Sequence, residues 1–459
     1  MYHIIFKSFI SIKPLLCALL ITGILFYPAG HLIEYYKLVN YFNLYDSQKI
    51  DYAINFMTWA IVCLYYVLLL KSINNILLLS VVVVTPSLAL GAWLLSNNLT
   101  NVTDIFADAT RFVAPFLSYA GAFYLLSRCS HDNIIKLFVL LFAHNLYTLV
   151  NSIIIKLEDT GPFIGYNTVT VESSPMLITV FVFFYLFRKN KSITLLIFSI
   201  ISLLCFVLSP FMQVSKTGYI HLSFQLIVLM YFFFSHVKLQ MNKLIMVIAS
   251  IILATIFISN FNDSDISKRF HHALSVFDVV KDNDASTTAR IGEIEGVIEN
   301  FINSPMTLFF GVGSGAWITS YHVDKYRTTI HAEDSGLLSA NYRNNGKHIH
   351  NIHSGVFSVL NRNGFFGIMA YLLLIYFALK LIIRLIKYSV NKYPHYTDEQ
   401  LFVYLFAVGS AINAVGTIFI SPIILGLYGD FGFGLNLAII SVAFKYLTNT
   451  PSKAPINKY

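Results

Sequence analysis

A chain of 459 residues that is 56% hydrophobic, 15% aromatic and only 12% charged lacks the polar surface a soluble globular domain needs. Its mean hydropathy of +0.68 points instead to repeated membrane crossing. The formal charge of +8 is spread over many short connections, which excludes a concentrated basic patch and with it a nucleic-acid partner.

Apolar runs of about 18 to 20 residues, the length that crosses about 30 Å of hydrocarbon, recur along the chain. In order they predict twelve spans, near 9–28, 53–70, 76–95, 112–127, 134–155, 175–187, 193–211, 218–236, 243–260, 354–379, 400–420 and 430–447. The first resembles a signal peptide in composition, but its removal would leave an odd number of spans and break the charge alternation, so it is read as a helix. The expected fold is an all-α integral membrane protein with three parts: spans one to nine in 1–260, an outer loop in 261–352, and spans ten to twelve in 353–459.

Orientation follows from Lys and Arg, which mark cytoplasmic connections. They fall on every second one: Lys7 and Lys13, Lys71, Arg128 and Lys136, Arg188 to Lys191, Lys238 and Lys243, Lys380 to Lys392, then Lys445, Lys453 and Lys458. Both termini are therefore expected in the cytoplasm and 261–352 outside. Cys17, Cys63 and Cys205 fall inside spans and Cys129 beside one, a pattern that implies neither disulfides nor a thiolate metal site.

The outer loop of 92 residues is long enough to be functional. Within it "STTARIGEIEGVIENFINSP" places Ile291, Ile294, Ile298 and Phe301 at helical spacing, with Ser286 to Thr288 as caps and Pro305 as the stop. "SDISKRFHHALSVFDVVKD" predicts a second, short amphipathic helix. In "FFGVGSGAW", Gly311, Gly313 and Gly315 permit tight turns and a close approach of backbone to a ligand, but without GK[ST] the stretch is no phosphate loop.

"HIHNIHSGVFSVLNRNGFFG" follows. His348, His350 and His353 suggest a metal at first sight, yet no HExxH or Cys partner accompanies them, and histidines at headgroup level closing the tenth helix are the plainer reading. Arg362, with Asn361 and Asn363, lies about two turns into that helix, where polar groups need partners or water. Lys216 in "SPFMQVSKTGYIHL" is a cation between two apolar helices, suited to an anion. Snorkelling of Lys216 and pairing of Arg362 with an outer-loop carboxylate are the structural alternatives.

Three segments in order, "VSKTGYIHL", "ARIGEIEGVIENFINSPMTLFFGVGSG" and "HSGVFSVLNRNGFFG", resemble the O-antigen ligase and polymerase superfamily of bacterial surface-polysaccharide assembly. The last fits the family pattern of His, Ser or Asn, nine residues, Gly, two residues, Gly, at His353, Ser354, Gly364 and Gly367; a poorer register starts at His350. The resemblance covers 209–370 and extends to the rest by topology. It implies a fold similar to GT-C glycosyltransferases, an inner-membrane location, a periplasmic active site and metal-independent glycosyl transfer without a cofactor. The donor it implies is an undecaprenyl-pyrophosphate-linked oligosaccharide.

Under the same resemblance Lys216 and Arg290 would bind the donor pyrophosphate, and His353 would act on the acceptor hydroxyl. The family usually has Arg where this chain has Lys216, which keeps the charge and loses the bidentate fork. Arg327, Arg343 and Arg362 are further candidates for the second cation, and Glu172 is the first carboxylate to test because it adjoins a span. A polymerase is the leading expectation, with a lipid-linked repeat as acceptor and a chain-length regulator as a further implied partner. A ligase acting on lipid A-core is the alternative, and a twelve-span flippase is the reading from another class; the absence of two related halves speaks against the flippase.

Overall fold

The computed structural model describes residues 47–70, 74–129, 133–138, 285–319, 355–392, 395–424 and 427–450, together with positions 193, 194, 197, 201, 225, 342, 343, 348, 349 and 352. The spans expected near 9–28, 175–187 and 243–260, and the amphipathic helix expected over 264–282, lie outside the described residues, as does most of 134–155, 193–211 and 218–236. In chain order the elements are α1 (Ser47–Leu70), α2 (Asn75–Ser96), α3 (Val102–Arg128), α4 (Ala285–Asn303), α5 (Thr307–Phe310), β1 (Ile318–Thr319), β2 (Tyr342–Arg343), β3 (His348–Ile349), α6 (Gly355–Lys392), α7 (Asp398–Ile424) and α8 (Phe431–Asn449).

The described chain is overwhelmingly helical, and four of its helices are long and apolar enough to cross a membrane: Asn75–Ser96, Gly355–Val390, Asp398–Ile418 and Phe431–Asn449, with mean hydropathy of 2.2, 2.3, 1.8 and 1.4. Their burial separates centre from rim. The apolar window of α7 is 94% buried, whereas those of α2 and α6 are 28% and 33% buried and leave Val82, Trp93, Leu372 and Tyr376 exposed, as lipid-facing helices do. Helix starts follow the capping rules. Asn74 accepts from Ile76 N at 2.9 Å to open α2, and Asp430 accepts from Phe433 N at 3.1 Å to open α8. Thr397 and Gln400 exchange backbone-to-side-chain bonds at 2.9 and 3.2 Å to open α7, with Asp398 and Glu399 in its first turn.

Two helices run ten or more residues past their predicted spans: α6 continues beyond 379 to Lys392, and α3 starts early. α3 begins at Val102, ten residues before the span expected at 112–127, because Asp104, Asp108 and Arg111 lower the local hydropathy without breaking the helix. Both carboxylates are buried. Further along, Pro115 has no N–H to give Arg111 O, and Gly429 N supplies the missing bond at 2.9 Å, tying the turn before α8 to α3. Phe112 and Phe116 pack their rings against Tyr371 of α6 at 5.3 and 5.4 Å between centroids, and the Tyr371 hydroxyl donates to Phe112 O at 3.0 Å.

The bundle has two chemically distinct ends. At one, Arg128 and Lys445 line a common cleft, Lys392 donates to the Tyr388 hydroxyl, and that hydroxyl donates to Leu447 O. At the other lie Asp104, Asp108 and Arg111 of α3, the start of α6 and the 427–430 turn. A small antiparallel sheet of order β1-β3-β2 joins the polar segment to this second end, with His348 opposite both Thr319 and Arg343.

Candidate functional site

The second end is built around one buried carboxylate. Asp108 Oδ2 accepts from Arg362 Nε, and both side chains are 1% exposed. The same oxygen accepts from Gly315 N at 2.7 Å, and the Tyr428 hydroxyl reaches Asp108 Oδ1 at 3.3 Å. Arg362 Nη1 donates to the Ser358 hydroxyl one turn earlier in α6. Four stretches of chain thus converge on Asp108: α3, α6, the glycine-rich turn and the turn before α8. Charges so far from water are tolerated because each has its partner and further hydrogen bonds.

The glycine-rich turn 311–315 sits in a slot between α2, α3 and α6. Val312 N donates to Asn361 O at 2.6 Å, Ser314 N donates to Ser87 O at 2.9 Å, and Thr100 Oγ1 donates to Gly315 O at 2.8 Å. The Ser87 and Ser314 hydroxyls share a bond of 2.6 Å. Gly311 has φ +78°, and a Cβ there would overlap the Arg362 carbonyl. What these glycines approach closely is therefore the backbone of neighbouring helices, where the sequence suggested a ligand.

Gly364, the first glycine of the motif, has its explanation at the same crossing. It interrupts α6 with φ 61° and ψ −160°, a conformation open essentially to glycine alone, and a Cβ there would overlap the Phe309 carbonyl. Gly364→Ala is expected to cost at least about 2 kcal/mol, from backbone strain and the overlap together. Unfolding of the detergent-solubilised variant by heat, compared with the parent, measures it. The break leaves a first segment, 355–363, that carries Ser358, Asn361 and Arg362.

Asn300 joins α4 to this segment. Its Nδ2 donates to Asn361 Oδ1 at 3.0 Å and reaches Trp317 O at 3.4 Å. Gly296 of α4 lies against Ile318, and Ile318 pairs with Ile349 of β3. The helix that contains Arg290 and the strand that leads to His353 are accordingly neighbours, six and four residues from these contacts. The Asn361 and Asn363 NH2 groups are buried with no acceptor among the described residues.

Of the residues singled out in the sequence, Arg290 lies in α4 and Arg343 in β2. Arg362 is buried and ion-paired, which makes it an anchor of the fold at this end. His353, His350, Lys216, Arg327 and Glu172 lie outside the described residues. Asp108, Tyr428, Ser358 and Asn300 did not stand out in the sequence. The signal available for the first was Asp104, Asp108 and Arg111 at helical spacing against the edge of an apolar span. Among the described residues no group of three His, Cys, Asp or Glu is placed to hold a metal ion. No protein-family model matches the chain, and neither a curated relative nor a solved structure matches it.

Proposed function

We propose that this protein is a surface-polysaccharide polymerase of the bacterial inner membrane, with twelve spans, cytoplasmic termini and its site on the periplasmic side. In the reaction, a sugar hydroxyl of a lipid-linked acceptor attacks the anomeric carbon of an undecaprenyl-pyrophosphate-linked glycan. The new glycosidic bond forms as the bond from that carbon to the phosphate oxygen breaks, and undecaprenyl pyrophosphate departs as an anion. His353 takes the hydroxyl proton, and Lys216 and Arg290 hold the charge on the leaving group.

The observation that carries the reading is the link from Asn300 to Asn361. It brings together the two motif segments to which the donor cation and the acceptor base belong, at the end of the bundle opposite Arg128, Lys392 and Lys445. The buried amide donors of Asn361 and Asn363 add polar capacity there that suits a sugar or phosphate ligand.

Purified protein in liposomes, given a defined undecaprenyl-pyrophosphate-linked repeat, is expected to produce a ladder of chains on gels. Transfer to lipid A-core alone would make it a ligase, and translocation of the lipid-linked repeat without any new bond would overturn the glycosyltransferase reading. In the same assay Lys216→Arg is expected to remain within about tenfold of the parent, because the charge is kept. Lys216→Ala is expected to lose one to two further orders of magnitude, about one charge-assisted interaction with the leaving group.

A further inference from the structure

The opposite end of the bundle holds a feature that glycosyl transfer does not use. A cleft of about 580 Å³ opens between α1, α2, α3 and α8, with Arg128 and Lys445 on its walls beside Asn74, Tyr66, Phe123 and Tyr124. Among the described residues no carboxylate lines it and neither cation has an ion-pair partner. Asn74 has its Oδ1 committed to Ile76 N and retains its NH2 as a donor. The Tyr66 ring lies 4.4 Å from that of Tyr124, and the Arg128 guanidinium lies over the Tyr124 ring at 5.9 Å, so the aromatic wall supports the cation while its N–H edge stays free. Two cations, an amide donor and no acceptor with negative charge make a receptor for a phosphate oxygen cluster.

Depth narrows the setting. Arg128 is the last residue of α3, Lys445 is in the last turns of α8, and Asn74 caps the start of α2. All three stand where apolar helices end, at the level of lipid phosphates. We propose that this cleft binds a phosphate group at the basic end of the bundle, carried either by an anionic lipid headgroup or by free inorganic phosphate. The proposal is independent of the glycosyltransferase reading.

The test uses the full chain in nanodiscs of phosphatidylcholine with a few per cent phosphatidylglycerol, and counts the anionic lipid retained through detergent extraction by native mass spectrometry. With roughly fivefold in affinity per cation at a membrane surface, R128Q/K445Q is expected to bind phosphatidylglycerol on the order of 20-fold more weakly. R128K/K445R is expected to stay within a few-fold. K392Q removes one charge from the same end outside the cleft and is expected to change nothing. Both cleft cations are exposed, so the double variant is expected to fold, as its unfolding temperature checks; if it does not, R128Q and K445Q singly should each cost about fivefold. Millimolar inorganic phosphate that binds with the same dependence on the two cations, without lipid, identifies the free anion as the ligand. Lipid and phosphate binding indifferent to R128Q/K445Q, or reduced equally by K392Q, overturns the proposal.

Discussion

Asp108→Ala is expected to lose about 3–5 kcal/mol of folding stability, enough to remove most of the folded protein from the membrane fraction. The reason is asymmetry. With Asp108 present, Arg362 is paired although only 1% exposed; with the carboxylate gone, a guanidinium remains in the interior without its hydrogen-bonded partner, and only Asp104, one turn back on α3, still offers it negative charge. The variant also deprives Gly315 N of its acceptor and leaves the Tyr428 hydroxyl only the backbone carbonyl of residue 108, so the glycine-rich turn and the turn before α8 both lose a tie to α3. Removing both charges has a different outcome. Asp108→Leu combined with Arg362→Met removes both members of the pair, and it is expected to recover most of the lost stability, because hydrophobic replacements of a buried pair are often neutral or stabilising. Denaturant unfolding of the parent, both single variants and the double variant gives the coupling directly. Additive effects of the two single changes would mean that the pair does not act as a unit.

The same residues explain what a reading of the sequence reached and what it did not. Spans expected at 76–95, 400–420 and 430–447 correspond to α2, α7 and α8 within a few residues, since long apolar runs bounded by Asn74, Thr397 and Asp430 combine periodicity with caps. The helix expected around 286–303 is α4, from the periodicity of its apolar positions; it begins at Ala285, so Ser286 to Thr288, expected as caps, lie inside its first turn. α3 came out ten residues short because a hydropathy window counts Asp104 and Asp108 as exposed polar groups, whereas both are buried. The partner of Arg362 lies 254 positions away, and nothing local to either residue names the other. Glycine spacing has a similar limit. It states where a backbone can approach closely, and here Gly311 and Gly364 meet each other's strands of chain across α6, information that belongs to the crossing and not to either segment. The motif glycine Gly364 is thereby accounted for by packing, and the motif histidine, His353, lies outside the described residues.

That histidine carries the sharpest functional expectation. His353→Ala is expected to reduce glycan transfer by about 10²–10⁴-fold, the usual contribution of general acid–base catalysis, while the protein remains folded and inserted. His353 directly precedes the 355–363 segment, and that segment is held at Asn361 by Val312 N and Asn300 and at Arg362 by Asp108. These bonds are made at Asn361 and Arg362, eight and nine positions along the chain from His353, so truncating the imidazole is expected to leave the anchors intact and to separate chemistry from stability. Asp108→Ala gives the converse signature, with loss of protein and loss of activity in proportion. Replacement of His353 by Gln, which can orient a hydroxyl and cannot take its proton, decides between the two roles open to the side chain. Activity of His353→Gln near that of the parent would assign an orienting role; activity as low as His353→Ala would assign proton transfer. Parent-level ladders from His353→Ala in liposomes would remove the residue from the reaction altogether.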